Sequence, residues 1–79
     1  MFRIPSFHQM DLTFDESVSI MKGRANGDLL AGLQSMDKMW EDYCASDDQD
    51  DDEFFGNWSY EVNAYNVVVE SMRPLFAAA

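Results

Sequence analysis

Eight carboxylates crowd into thirteen residues near the middle of this chain, and they are its main chemical resource. Glu41 and Asp42 come first. The run Ser-Asp-Asp-Gln-Asp-Asp-Asp-Glu at 46–53 follows, with Asp47, Asp48, Asp50, Asp51, Asp52 and Glu53. Carboxylates so placed could ligate a hard cation, exchange protons, or present a charged surface. A calcium loop of the EF-hand type needs acids at positions 1, 3 and 5, glycine at 6 and glutamate at 12. Asp48, Asp50 and Asp52 fit the first three positions, but Glu53 stands where glycine is required and Ser59 where glutamate is required. The register from Asp47 fails as well. Zinc needs several His or Cys ligands, and His8 and Cys44 do not make a set. Acid–base catalysis needs a carboxylate or histidine with a shifted pKa in a pocket, whereas these acids crowd a segment that reads as exposed. The chain has no phosphate-cradling glycine loop and no cofactor motif. We therefore expect no metal site, no cofactor and no catalysis, which leaves the charged surface.

That surface is strongly one-signed. The net charge is −10, and residues 39–72 hold ten acids and no base. Elsewhere, Asp11, Asp15, Glu16, Asp28 and Asp37 balance Arg3, Lys22, Arg24, Lys38 and Arg73. Such a surface repels nucleic acid and anionic lipid and attracts basic partners, and DNA affinity comes from Lys and Arg. Direct nucleic-acid binding is thus excluded. Fully extended, residues 47–53 would span at most about 23 Å. Their six acids would then fall roughly every 4 Å, close to the spacing of about 3.4 Å per charge along one DNA strand. The competing reading is a solvated, mobile loop that aids solubility alone. Phe54, Phe55, Trp58 and Tyr60 follow the run directly. Such residues either close a core or anchor an interface beside a polar rim. Phe55 or Trp58 is expected to face inward and Phe54 outward, with Phe54 and Trp58 the candidate anchors.

Glu41, Asp42 and the 47–53 run give the chain a resemblance of type to phage-encoded acidic inhibitors of bacterial defence, the anti-CRISPR and anti-restriction proteins. No diagnostic motif carries the resemblance, which covers about a third of the chain. It implies a DNA mimic that occupies the basic, DNA-binding groove of a nuclease or surveillance-complex subunit. The alternative is a small phage or bacterial accessory or assembly protein that binds through apolar helix faces. A third reading is an acidic chaperone for a basic protein.

The elements that would position these residues follow from periodicity and caps. Thr13-Phe14-Asp15-Glu16 matches a capping box, which predicts helix one from Phe14 to about Lys22, ending at Gly23. Phe14, Val18 and Met21 share a face; partial alternation over 12–20 leaves a hairpin as the rival. Asn26-Gly27-Asp28 is a turn signal. Helix two is expected over about 28–45, with an apolar stripe from Leu29 to Cys44 and Gly32 at a close crossing. Residues 46–53 are expected to form an acidic loop, and Phe54-Phe55-Gly56-Asn57 to turn the chain back. Helix three is expected from about Trp58 to Met72, capped by Asn57 or Ser59, with Val62, Tyr65, Val69, Met72 and Phe76 on one stripe. Pro74 should limit it, and Ala77–Ala79 should fray. Residues 1–12 read as an extended arm packed on the core, with one short strand an option.

The fold class expected is therefore all-α, a single small antiparallel three-helix bundle. A domain of this size buries only about 60% of its unfolded surface. Cys44, the only cysteine, is expected to be a buried apolar residue, and His8 a surface one. A cytoplasmic monomer or homodimer is expected, since no run approaches the roughly 18 apolar residues of a membrane span.

Overall fold

Three helices form, and each start is explained by its caps: α1 (Phe14–Gly23), α2 (Leu29–Ala45) and α3 (Asp51–Ala77). The computed structural model describes residues 2–6 and 8–77, with the backbone alone for 73–77. The helices pack against one another as a small all-α three-helix bundle, as expected.

Thr13 opens α1 with the full capping box. Its hydroxyl accepts from the Glu16 amide at 3.1 Å, and its own amide donates to Glu16 Oε1 at 3.2 Å. The hairpin alternative fails here. Met21 and Ser17 are fully buried. The Ser17 hydroxyl meets burial by donating to the Thr13 carbonyl at 2.8 Å. Phe14 lies at the open end of the same face and is 44% exposed.

The turn to α2 needs two left-handed residues, Asn26 (φ 54°) and Gly27 (φ 94°), and asparagine and glycine adopt that region most readily. Asp28 then caps α2 by accepting from the Ala31 amide at 3.1 Å. The crossing of α1 and α2 depends on Gly32. A Cβ there would come within 1.9 Å of the Met21 carbonyl oxygen.

Helix α3 starts seven residues earlier than the sequence suggested. Asp50 caps it, accepting from the Glu53 amide at 3.1 Å through its side chain and from Phe54 at 2.9 Å through its carbonyl. Phe54-Phe55-Gly56-Asn57 is therefore helix and not a turn. The overlooked signal is Asp50-x-x-Glu53 ahead of an apolar pair, itself a helix-start pattern. Asp51, Asp52 and Glu53 also match the positive end of the helix dipole. At the other end the helix continues through Pro74 to Ala77. Proline removes one amide donor, and so near the C-terminus that forfeits one hydrogen bond without ending the helix. The side chains of Leu75 and Phe76, and Ala78 and Ala79 altogether, lie outside the described residues.

The core joins Ile4 of the arm to Met21, Leu33, Met36, Phe55, Val62, Tyr65, Val68 and Val69. No strand forms among the described residues. The arm is held instead by side-chain amides of α3. Asn66 accepts from the Ile4 amide at 2.8 Å and donates to the Ile4 carbonyl at 2.7 Å, copying a strand partner. Asn63 donates to the His8 carbonyl at 2.6 Å and accepts from the Met10 amide at 3.3 Å. An unpaired buried backbone group costs about as much as a lost hydrogen bond, so these two asparagines are what let an irregular arm bury Ile4.

Candidate functional site: an acidic pole on an aromatic wall

The end of α2, the connection 46–50 and the start of α3 together form one pole of the molecule. Glu41 and Asp42 lie on α2, Asp47 and Asp48 in the connection, and Asp51, Asp52 and Glu53 in the first turn of α3. All of these and Asp50 are exposed. Among the described residues one base pairs with this group: Lys38, 3.4 Å from Asp42.

The pole is built, not a loose tail. Gln49 reaches back to cap the end of α2, donating from Nε2 to the Cys44 carbonyl at 2.9 Å and the Ser46 carbonyl at 3.2 Å. The Ser46 hydroxyl accepts from the Asp48 amide at 3.1 Å. Tyr43 ties the two helix ends together, its hydroxyl donating to Asp51 Oδ1 at 2.5 Å. Partial burial, that hydrogen bond, and the charges of Asp51 and Asp50 push the Tyr43 hydroxyl up to about 12. Tyr43 therefore stays a neutral donor at physiological pH.

Part of the expected charge track is corrected. Residues 51–53 are helical, rising only about 1.5 Å per residue. The run is not a continuous extended strand with phosphate spacing. It is a short extended piece followed by acids wrapped around one helical turn.

Aromatic rings support the pole from below. The Phe54 and Tyr43 rings stack at 4.2 Å between centroids, Trp40 lies 5.7 Å from each, and Phe55 meets Phe54 edge-on at 5.1 Å. Phe54 is 8% exposed, which corrects the outward orientation expected for it. With α3 starting at Asp51, residues 54 and 55 lie on its first inward face. Phe55 is buried as expected, and Trp58 is half-buried with the Arg24 guanidinium 5.6 Å from its ring centroid. Cys44, expected inside, is exposed; it stands one position past Tyr43, the last α2 residue stacked on Phe54.

Between the acids and the rings lies an open recess of about 220 Å³. Asp48, Asp50 and Glu53 supply its acidic side, and Tyr43, Phe54 and Trp58 its aromatic side, with Asn57 alongside. Sequence reasoning did not anticipate Tyr43 or Asn57 here. Tyr43 was recognisable only as a stripe residue, and Asn57 was read as a cap.

Among the described residues, no group of three or more His, Cys, Asp and Glu side chains is arranged to hold a metal ion. No helix among them is long and apolar enough to cross a membrane. No protein-family model, curated protein or solved structure matches this chain.

Proposed function

We propose that this chain is a non-enzymatic binding protein whose acidic pole docks on a basic, phosphate-gripping groove of another protein. Its action would be that of a DNA mimic inhibiting a bacterial defence nuclease or surveillance subunit, as anti-CRISPR and anti-restriction proteins do. The observation that carries this reading is the placement of Asp47 and Asp48. They lie between the C-terminus of α2, which has no base in its last turn, and the cap of α3 at Asp50. The opposite ends of the two helix dipoles offset each other there, so the fold gains little from acids at these two positions. Gln49, Ser46 and Tyr43 nevertheless fix the segment that carries them. A charged surface that the fold does not require yet holds preorganised is what electrostatic recognition requires.

The assembly-module alternative loses support. Of its anchors, Phe54 packs into the bundle and Trp58 is half-buried, and the large apolar residues left exposed (Phe2, Met10, Phe14, Leu30 and Tyr60) belong to the arm and to all three helices.

The test is capture of partners from bacterial lysate at low and high salt, followed by competition with duplex DNA. The expected partner is a DNA-binding protein, retained at low salt and displaced by DNA. The variant to compare is D47K/D48K, because lysines there spare both the Asp50 cap and the Tyr43–Asp51 bond. A folded D47K/D48K protein that still binds and inhibits would end the proposal.

A further inference from the structure

We propose that the recess between α2 and α3 is the receptor for one arginine side chain of the partner. The inference rests on the acidic-pole reading and names the group that the pole would hold.

Size excludes larger guests. Sites for cofactors and drug-sized ligands run from about 300 to 1,000 Å³, and this recess is smaller, about 220 Å³, and open to solvent. A single side chain suits it. Charge then selects the side chain. Asp48, Asp50 and Glu53 line one side, and among the described residues none of the three forms an ion pair within the chain. A cation is therefore the complementary guest.

The aromatic side discriminates among cations. The half-buried Tyr43 and Trp58 offer ring surface beside the carboxylates, and the buried Phe54 backs Tyr43. A planar guanidinium stacks on such surface while forking hydrogen bonds to carboxylates. A lysine ammonium is a compact, strongly hydrated charge that gains less from the rings. The chain contains an internal precedent, since Arg24 already holds its guanidinium over the Trp58 ring. The recess is also preformed. Asp50 is fixed as the α3 cap, Tyr43 is fixed by Asp51 and the Phe54 ring, and α3 presents Glu53 and Asn57 one turn apart.

The experiment is an NMR titration of the intact protein with blocked Gly-Arg-Gly and Gly-Lys-Gly peptides at low salt, with calcium chloride as a third arm. The expected result is that the arginine peptide moves the Trp58 indole and the Glu53 and Asn57 amides most, and binds several-fold more tightly than the lysine peptide. E53Q should weaken arginine binding about three- to fivefold, the worth of a partly exposed ion pair. D15N, an equal charge change on α1, should leave it within about twofold.

Three results would overturn the proposal. Shifts spread evenly over 41–53, alike for both peptides, would mean non-selective attraction, leaving the broader acidic-pole reading standing. Calcium moving the same residues at lower concentration than the arginine peptide would make the recess a metal site. No shift anywhere in 41–58 from either peptide would count against the acidic pole as a binding surface altogether.

Discussion

Neutralising Asp52 and Glu53 should weaken the protein relative to neutralising Asp47 and Asp48, although each double change removes the same charge. Asp47 and Asp48 lie between the negative end of α2 and the positive end of α3, three and two residues before the Asp50 cap. Asp52 and Glu53 lie in the first turn of α3, at its positive end. A charge at a helix terminus is worth about 0.3–1 kcal/mol at low ionic strength. Because Asp47 and Asp48 stand between two opposite helix ends, D47N/D48N should change little through the dipoles, while D52N/E53Q should lose about 0.6–2 kcal/mol. Relief of self-repulsion in a chain of net charge −10 favours both variants alike, so their difference isolates charge position. That difference is about 0.6–2 kcal/mol. In a domain of about 60–100 residues each kcal/mol shifts the melting temperature by about 4–8 °C. Thermal unfolding followed by circular dichroism at low salt should therefore separate the variants by at least about 2 °C. In molar salt, where the screening length falls to about 3 Å, the gap should shrink. Equal melting temperatures at low salt would refute the reasoning, because net charge alone would then govern the pole. The functional corollary is that D47N/D48N should be the more stable protein and the poorer binder.

Two glycine substitutions should have opposite signs in urea unfolding. Gly56→Ala should add about 1 kcal/mol, since no atom stands within 4 Å of its added Cβ. Gly32→Ala should destabilise by roughly 1–3 kcal/mol of overpacking, because the obstacle is the Met21 backbone and not a side chain that can move. Asn66→Ala should cost at least about 2 kcal/mol by stranding the Ile4 amide and carbonyl; hydrogen exchange at Ile4 should accelerate, and unchanged exchange there would show that the arm is held otherwise. Alkaline pH should unfold the chain through its tyrosines. Unfolded tyrosine titrates near 10, while Tyr43 is raised to about 12 and Tyr65 is raised too, by burial and by Asp37. Folding favours the protonated hydroxyls, so this stabilisation is complete below about pH 10 and fades as pH climbs through about 12. Tyrosinate absorbance and urea midpoints across that window, compared with Tyr43→Phe, check it.

What could be read from the sequence was whatever local chemistry determines. The Thr13–Glu16 box and the Asn26-Gly27-Asp28 turn are decided within four or five residues, and α1 and α2 start accordingly. Gly32 could be read as a close crossing because a helix-interior glycine otherwise only costs stability. The start of α3 was missed because a block of like charge was weighed as composition, when four of its residues formed a cap and a first turn. That error carried forward, putting Phe54 on the wrong side and stretching the acids into a track. The arm's attachment was not legible either, since Asn63 and Asn66 meet residues more than fifty positions away. The recess belongs to the same class, needing Tyr43 and Trp58 on different helices to share one wall.

The eight acids of the pole divide by what the fold gains from them. Asp50 caps α3, Asp51 holds Tyr43, and Asp52 and Glu53 satisfy the α3 dipole, so these four have structural reasons to be acidic. Glu41 and Asp42 stand at the wrong end of α2, and Asp47 and Asp48 between it and α3, where no dipole favours them on balance. The Lys38–Asp42 pair offsets little, being exposed and in the weaker i,i+4 order, with the base N-terminal to the acid. A small domain has about 5–15 kcal/mol of stability in total, so about 1 kcal/mol spent on misplaced charge is not negligible. Glu41, Asp42, Asp47 and Asp48 are therefore the acids whose neutralisation tests binding with the least disturbance of the fold, and of these Asp48 alone also lines the recess.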